Sequence, residues 1–524
     1  MSHRRTQTDT EFDLIVVGAG INGAGIARDA AMRGLKVLLV DKGDVGGGTS
    51  AGSTRLIHGG LRYLEHFEFG LVRESLRERE TLLRIAPHLV RPLAITIPVY
   101  KERQRGWATI RAGMIAYELL AWGKSLPRYR MQSASETLRR MPGLRVEGLI
   151  GSAVYFDAQV EFAERLVVEN VLAAMEHGAS VLTYRRVSKL LIEGGHLRGV
   201  ELDGDFAEPA LAKVVINAAG PWADQLIDQK LIGGTKGSHI VVAPFRGAPE
   251  GAVYLEAVSD RRPFFVIPWN GNYLIGTTDV RFEDDPDAVR SELWEVEYLL
   301  AETNRAFPVA ELNNESVLYN YSGVRPLPFT KNEHEQSITR RHFLREHPQF
   351  SNLISVVGGK LTTYRSLAEE CVDLIFRKLE RPSPPCETAQ VPLPGATDAR
   401  SEFSLAALTR GKLKLELRTS ERWRRVYGSR AKEVAELAQR FDDDPLTTEI
   451  IFAFEKEFAT SLADCFLRRT MIGLNADVGL GEIERAAEIG KKFLGWTGER
   501  AEHEVESYRK EISNRIGDGL HHRQ

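Results

Sequence analysis

The sequence predicts an α/β dinucleotide-binding domain, an antiparallel-sheet domain that roofs it, and a small helical C-terminal domain; three observations carry this. The first is EFDLIVVGAGINGAGIARDAAMRGLKVLLVDK, residues 11–42, which reads as strand, glycine turn, helix and second strand. The second is a series of strand-like runs over residues 231–346, with Asn270-Gly271 between two of them as a hairpin signal. The third is helical periodicity with charged faces over Glu449–Arg469, Gly481–Phe493 and Glu499–Ile512.

In the opening stretch, Leu14–Val17 is apolar and β-branched, as a buried parallel strand is, and it runs into Gly18, Gly20 and Gly23 spaced G-x-G-x-x-G. Gly18 permits the turn, Gly20 lets the backbone approach a pyrophosphate, and Gly23 lets the following helix, Asn22–Arg33, pack on its strand. Free N–H groups at the helix start, around Ile21 and Asn22, then face the anion. Gly34 closes the helix, Lys36–Val40 is a second strand, and Asp41 at its end can accept from a ribose hydroxyl. An acid at this position argues against a 2′-phosphate and so for FAD or NAD over NADP. A glycine-rich turn alone would say little; both strands and the acid give it meaning.

The loop KGDVGGGTSAGSTRLIHGGLRYLEH follows, rich in backbone and hydroxyl donors that suit phosphates and a polar ring edge. The cofactor expectation therefore includes Lys42, Thr49, Ser50, Ser53, Leu56, His58, Gly59 and Gly60. Phe69–Ile85 reads as a charged helix closed by Pro87 and Pro92. In GWATIRAGMIAYELLAWGKSLP, Trp107, Ile110, Met114, Tyr117, Leu120 and Trp122 recur at near-helical spacing, with Arg103, Arg105 and Arg111 around them. That pattern fits an interfacial helix or an aromatic-rich core helix.

Residues 151–220 return to α/β: a helix over Glu161–His177, a strand over Ala179–Tyr184, a Gly194-Gly195 hairpin, and the strand Lys213–Asn217 ending in NAAGPWAD. A strand followed by A-A-G marks a second close backbone approach and adds Ala219, Gly220 and Trp222 to the cofactor residues. NLISVVGGKLTTYR repeats the opening logic, so Gly359, Lys360, Leu361 and Thr362 complete them. PSPPCETAQVPLPG reads as a linker. The expected domains are residues 11–90, 151–222 and 347–384 for nucleotide, 91–150 and 223–346 for substrate, and 385–524 for linker and helical domain.

At 524 residues the chain exceeds one ordinary core, and a net charge of -3 offers no basic excess for nucleic acid. Cys371, Cys386 and Cys465 are far apart and form neither a disulfide framework nor a zinc site, and no metal is expected. Neither an export signal nor a spanning helix is read, which predicts a cytoplasmic protein, able to lie on a membrane surface.

TSAGSTRLIHGGLRYLEH, NAAGPWAD, KGSHIVV, FVIPW with IGTTD, YSGVRPL and GGKLTTYR, in this order, resemble the FAD-dependent glycerol-3-phosphate dehydrogenases, within the glutathione-reductase-like, amino-acid-oxidase-type flavoproteins. The resemblance covers nearly the whole chain. It implies FAD, oxidation of sn-glycerol 3-phosphate to dihydroxyacetone phosphate, quinone as next electron carrier, and peripheral contact with the inner face of the cell membrane through residues 103–124. The oxygen-using glycerophosphate oxidases typically carry an insertion that is not apparent here, so the dehydrogenase is preferred. Oligomeric state stays open, a homodimer included.

A doubly charged phosphomonoester needs fixed cations, and arginine offers forked donors. Arg325 in GVRPL, Arg62 beside Tyr63 in GLRY, and Arg340 in SITRR match the family's substrate site, with Arg341 able to replace Arg340. Oxidising C2 also requires a base for the hydroxyl proton. His239 in KGSHIVV is the candidate base, with a structural histidine as its alternative, and His58 is assigned to the flavin loop. Lys360 suits the negative charge of a reduced flavin or the phosphate. Rival readings are an amine or amino-acid oxidoreductase, an RNA-modifying flavoprotein, and a non-catalytic flavin-bound membrane adaptor.

Overall fold

The computed structural model describes residues 11–102, 105–204, 209–331, 338–396, 417–441, 444–513 and 515, and the chain divides into two compact units. The first, residues 1–51, 166–235 and 325–394, is built on a sheet with the strand order Phe343–Glu346, Leu353–Val357, Ala210–Asn217, Glu11–Val17, Val37–Val40, Ser180–Leu182. The central strands are parallel: Val17 is level with Val40 on one side and with Asn217 on the other. The first crossover therefore goes one way and the later strands the other, which opens a crevice at the carboxyl ends of Glu11–Val17 and Ala210–Asn217. The helix Ile21–Met32 fills the first crossover, and Tyr364–Lys378 packs beside it; a Cβ on Gly25 would lie 2.7 Å from the Tyr364 ring. The glycine pair at 194–195 turns the hairpin Val187–Glu193/His196–Leu202, as read.

The second unit, residues 52–165, 236–324 and 395–524, holds a ten-stranded, mainly antiparallel sheet. Asn270 and Gly271, at φ 48° and 76°, turn the hairpin Pro263–Trp269/Asn272–Gly276. That pair of left-handed residues is what a two-residue turn needs to match the strand twist. This sheet also takes in Leu56–Ile57 and Leu149–Val160; the sequence groups the first, and the second from residue 151 on, with the nucleotide segments. Pairing explains the difference: Val90–Tyr100 runs antiparallel along Leu149–Val160, and Leu56 is level with Gln159.

Three expectations are corrected. Glu449–Arg469 is not one helix: Pro445–Lys456 ends before Phe458, at φ 48°, and Leu462–Asp464 then leads into a π-helical turn, Cys465–Arg469. PSPPCETAQVPLPG is no free linker over its described length. Arg28 Nη2 donates to Val391 O at 2.7 Å, Arg33 Nη1 to Ser383 Oγ at 3.1 Å, Arg365 Nη1 to Thr388 Oγ1 at 3.2 Å, and Leu393 is fully buried. The core reading of the helix Trp107–Leu120 prevails for Ile110, Met114 and Tyr117, which are buried, while Ile115, Leu119 and Trp122 are exposed. The helix is amphipathic, but its apolar spacing belongs to the inward face. Arg103 lies outside the described residues. No helix among the described residues is long and apolar enough to cross a membrane, and the three cysteines are unpaired thiols.

The C-terminal helices are fastened within the second unit by a buried charge cluster. Arg165 meets Glu457 at 2.6 Å with both side chains 0% exposed, and Arg430 adds a second cation at 2.5 Å. Burial raises the Glu457 carboxyl, but the two arginines outweigh it and hold the group below its ordinary range. Glu457→Gln leaves the buried Arg165 without its counter-charge, which should cost about 3–5 kcal/mol of stability. Denaturant titration of the variant checks this; a midpoint unchanged from wild type would show that the cluster holds nothing.

Candidate active site

In the first unit, the glycine turn, the end of the second strand and the segment after Ala218 come together. Gly18 adopts φ 101°, and a Cβ there would lie 2.6 Å from Ala218 O; one on Gly23 would lie 1.8 Å from Gly18 O. Only glycine fits either place. Gly20 has room around it, with Ser50 Oγ 3.6 Å from where its Cβ would be. Ser50 Oγ accepts from Ile21 N–H at 3.0 Å, and the helix has no side-chain cap at Gly20, so its first turn presents N–H groups toward the crevice.

Asp41 accepts Ala19 N–H at 2.6 Å and Gly43 N–H at 2.9 Å, tying the end of the second strand to the glycine turn. Each carboxylate oxygen keeps a further lone pair for a hydroxyl. Burial pushes this carboxyl up to about 6 against those two donors. Lys42 sits 4.3 Å over the Trp222 ring, and a Cβ on Gly48 would touch the same ring at 3.0 Å, so the loop after Asp41 folds onto the segment after Ala219-Gly220. Thr49 lies within that loop, half-buried. The Asn22 amide oxygen and the Trp222 indole nitrogen are buried with no hydrogen-bond partner among the described residues. Such atoms suit a polar ligand lying along the crevice.

The backbone segments that carry the sequence-read cations of this unit meet at Gly358-Gly359. Gly358 N–H donates to Pro326 O at 2.8 Å, next to Arg325; a Cβ on Gly358 would lie 2.7 Å from Arg341 O, next to Arg340. Lys360 is two residues on, its ammonium shielded from solvent, and Leu361 and Thr362 turn the chain into the helix Tyr364–Lys378. Asn22 Nδ2 reaches Gly358 O at 3.4 Å. Arg325, Arg340 and Lys360 thus hang on one backbone junction beside the dinucleotide helix; Arg340 is half-buried and Arg341 exposed.

In the second unit, His239 is 1% exposed. Its Nε2 lies 2.9 Å from Thr54 Oγ1, and its ring stacks on Tyr321 at 4.9 Å. A Cβ on Gly276 would lie 2.3 Å from the ring, so the neighbouring strand closes over it. Tyr321 donates to Ser53 O at 3.0 Å, and Arg55, paired with Glu164 at 2.7 Å, lies 4.6 Å from the Trp269 ring. Thr54 and Arg55 lie inside the motif STRLIHGG, yet nothing in their spacing announces these partners. Leu56 is buried in its short strand, His58 is half-buried, and Gly59-Gly60 leads into the 3-10 turn Leu61–Leu64 that carries Arg62 and Tyr63. Arg62 lines a pocket with Arg105, Tyr254 and Ile110.

A model for FAD dependent oxidoreductases matches residues 13–374, and one for the C-terminal domain of alpha-glycerophosphate oxidase matches residues 386–501. The glycerol-3-phosphate dehydrogenase of Synechocystis sp. is 45% identical, over 95% of this chain and 96% of its own. The chain belongs to the FAD-dependent glycerol-3-phosphate dehydrogenase family. The solved Bacillus halodurans glycerol-3-phosphate dehydrogenase, complexed with FAD, superposes with a TM-score of 0.79 at 29% identity, covering 97% of this chain and 95% of that one. A D-erythritol 1-phosphate dehydrogenase of Brucella abortus is also similar, 36% identical over 92% of this chain and 97% of its own. FAD is the cofactor of this family, and the crevice fits it: Gly18, Gly20 and Gly23 would admit the pyrophosphate, Asp41 the ribose, and Asn22 and Trp222 bring unsatisfied polar atoms.

In a dehydrogenase of this family, a ribose hydroxyl that donated to Asp41 would favour the ionised carboxylate. FAD affinity of the apoprotein should therefore rise with pH between about pH 5 and pH 7. The same raised value means that ionisation costs the apoprotein stability as pH passes through about 6. Flavin-fluorescence titrations of wild type and Asp41→Asn check the sign: the variant's affinity should be flat over this window.

Proposed function

We propose that the protein oxidises sn-glycerol 3-phosphate to dihydroxyacetone phosphate and passes the electrons to a membrane quinone. The observation that carries this is the gathering of Arg325, Arg340 and Lys360 at the Gly358 junction of a family member's FAD crevice. Bound FAD supplies the acceptor for the hydride leaving C2. Arg325, Arg340 and Arg62 hold the phosphate, with Tyr63 beside Arg62, and Lys360 adds a fixed positive charge. His239 takes the C2 hydroxyl proton, its ring held by Thr54 and Tyr321. His58 is a second candidate for that proton, because it is less buried than His239 and shares the loop that carries Arg62.

Anaerobic bleaching of the flavin should be rapid with glycerol 3-phosphate and absent with glycerol or amino acids; D-erythritol 1-phosphate is the comparison that the Brucella relative supplies. Arg325→Ala should weaken productive binding by about 2–5 kcal/mol while retaining FAD. His239→Asn should slow flavin reduction at saturating substrate by about 10²- to 10⁴-fold. A slow His58→Asn beside an unaffected His239→Asn would transfer the role. Turnover with a soluble quinone under argon, against turnover in air without quinone, separates dehydrogenase from oxidase.

Peripheral membrane contact belongs to the same proposal, on a corrected surface. Ile115, Leu119 and Trp122, the last 90% exposed, share the outer side of the helix Trp107–Leu120 and its end, with Arg111 exposed beside them. Phe67 and Phe69 are exposed at the start of Phe69–Ile85, which packs against that helix. Arg105 is engaged by Glu65 and Glu256. Apolar contact plus attraction of Arg111 to anionic lipid suits a surface-lying protein. Ile115, Leu119 and Trp122 all changed to Ser should abolish sedimentation with phosphatidylglycerol vesicles and leave dye-linked activity intact. Undiminished sedimentation would place the contact elsewhere.

A further inference from the structure

Tyr117 lies on the buried side of the helix Trp107–Leu120, 2% exposed, and its hydroxyl joins two things that sequence keeps far apart. It accepts the Gly59 N–H at 3.0 Å and faces both Asp157 oxygens, at 2.8 and 2.9 Å. Asp157 is in turn paired with Arg79 at 2.6 Å, with side chains 0% and 1% exposed. The Asp157 carboxylate is an acceptor only, so the tyrosine proton points at it and the oxygen lone pairs face Gly59. Burial, reinforced by the Asp157 charge, pushes the phenol well above its ordinary range, so it stays a neutral donor throughout the working pH range.

Gly59 has no freedom at this contact: a Cβ there would lie 2.4 Å from the Tyr117 oxygen and 2.7 Å from Leu76. The next residue, Gly60, is left-handed at φ 76° and caps the turn Leu61–Leu64, and its own Cβ would lie 2.1 Å from the Tyr63 ring. The glycine pair is clasped between two tyrosines, and the turn that presents Arg62 starts from it.

We propose that Tyr117, held by Asp157 and Arg79, is a positioning residue that sets the Gly59-Gly60 turn and thereby aims Arg62 at the substrate phosphate. This rests on the reading of Arg62 as a phosphate ligand. The Tyr117 hydroxyl touches neither substrate nor cofactor in this role; it acts only through the register of the turn.

Tyr117→Phe keeps ring volume and removes the acceptor. It should fold, retain FAD, raise KM for glycerol 3-phosphate about tenfold, and leave kcat within about twofold. A residue acting through Arg62 should add nothing once Arg62 is gone, so in an Arg62→Ala background the same change should leave KM where Arg62→Ala put it. An equal rise in both backgrounds, or no rise in either, overturns the proposal while the Arg62 reading stands. Unchanged KM for Arg62→Ala alone overturns the reading and the proposal with it. If Tyr117→Phe does not accumulate as folded protein, Tyr117→Met runs the same cycle, since its flexible apolar chain fills the space without offering Gly59 an oxygen and leaves the Arg79–Asp157 pair intact; the same outcomes decide it.

Discussion

The first unit depends on one steric constraint, the approach of backbone to backbone at the glycine turn. With Gly23 against Gly18 O and Gly18 against Ala218 O, two strands and a helix meet where no methyl group fits. That proximity lets Asp41 reach Ala19 N–H and Ser50 reach Ile21 N–H. The helix start then faces the crevice with its N–H groups, and a site for a dinucleotide follows from packing rather than from any added device. The second glycine junction, at 358–359, uses the same economy of space to collect Arg325, Arg340 and Lys360 from separate segments.

The second unit relies on a different force. Arg55 with Glu164, Arg79 with Asp157, Arg165 with Glu457 and Lys236 with Glu295 are ion pairs in which both partners are almost fully buried. Desolvating two charges costs about as much as their attraction returns, so such pairs contribute little net stability. Misplacing one partner, however, strands the other, which penalises every alternative packing. They sit where loops must be held to one shape: Arg55 beneath the Trp269 and Tyr321 rings, Arg79 behind Gly59, and Arg165 at the junction with the C-terminal helices.

The helix Trp107–Leu120 shows where the sequence stops being legible. Its apolar residues have helical spacing, and the helix forms where that spacing puts it. Which stripe faces inward is decided by neighbours: Ile110, Met114 and Tyr117 meet a core partner, and Ile115 and Leu119 do not. Periodicity states that a helix has an apolar face; it does not say against what that face is buried. The stretch around Cys386 misleads for a related reason. Proline-rich composition signals extended backbone, but not the buried Arg28 and Arg365 that take up its carbonyl and hydroxyl groups.

The sequence by itself determined what local sterics and regular hydrogen bonding control: the glycine turn and its flanking strands, the Asn270-Gly271 hairpin, the helix Phe69–Ile85, and the order of motifs that fixes the family. Each depends on residues within a few positions of one another, where spacing is geometry. Only the tertiary structure decided that Thr54 meets His239, 185 residues away, that Tyr117 meets Gly59, and that Pro326 and Arg341, each following a sequence-read arginine, meet at Gly358. A hydrogen bond between distant residues leaves no period in the chain, because its geometry is set by how sheets and helices pack and not by the residues in between.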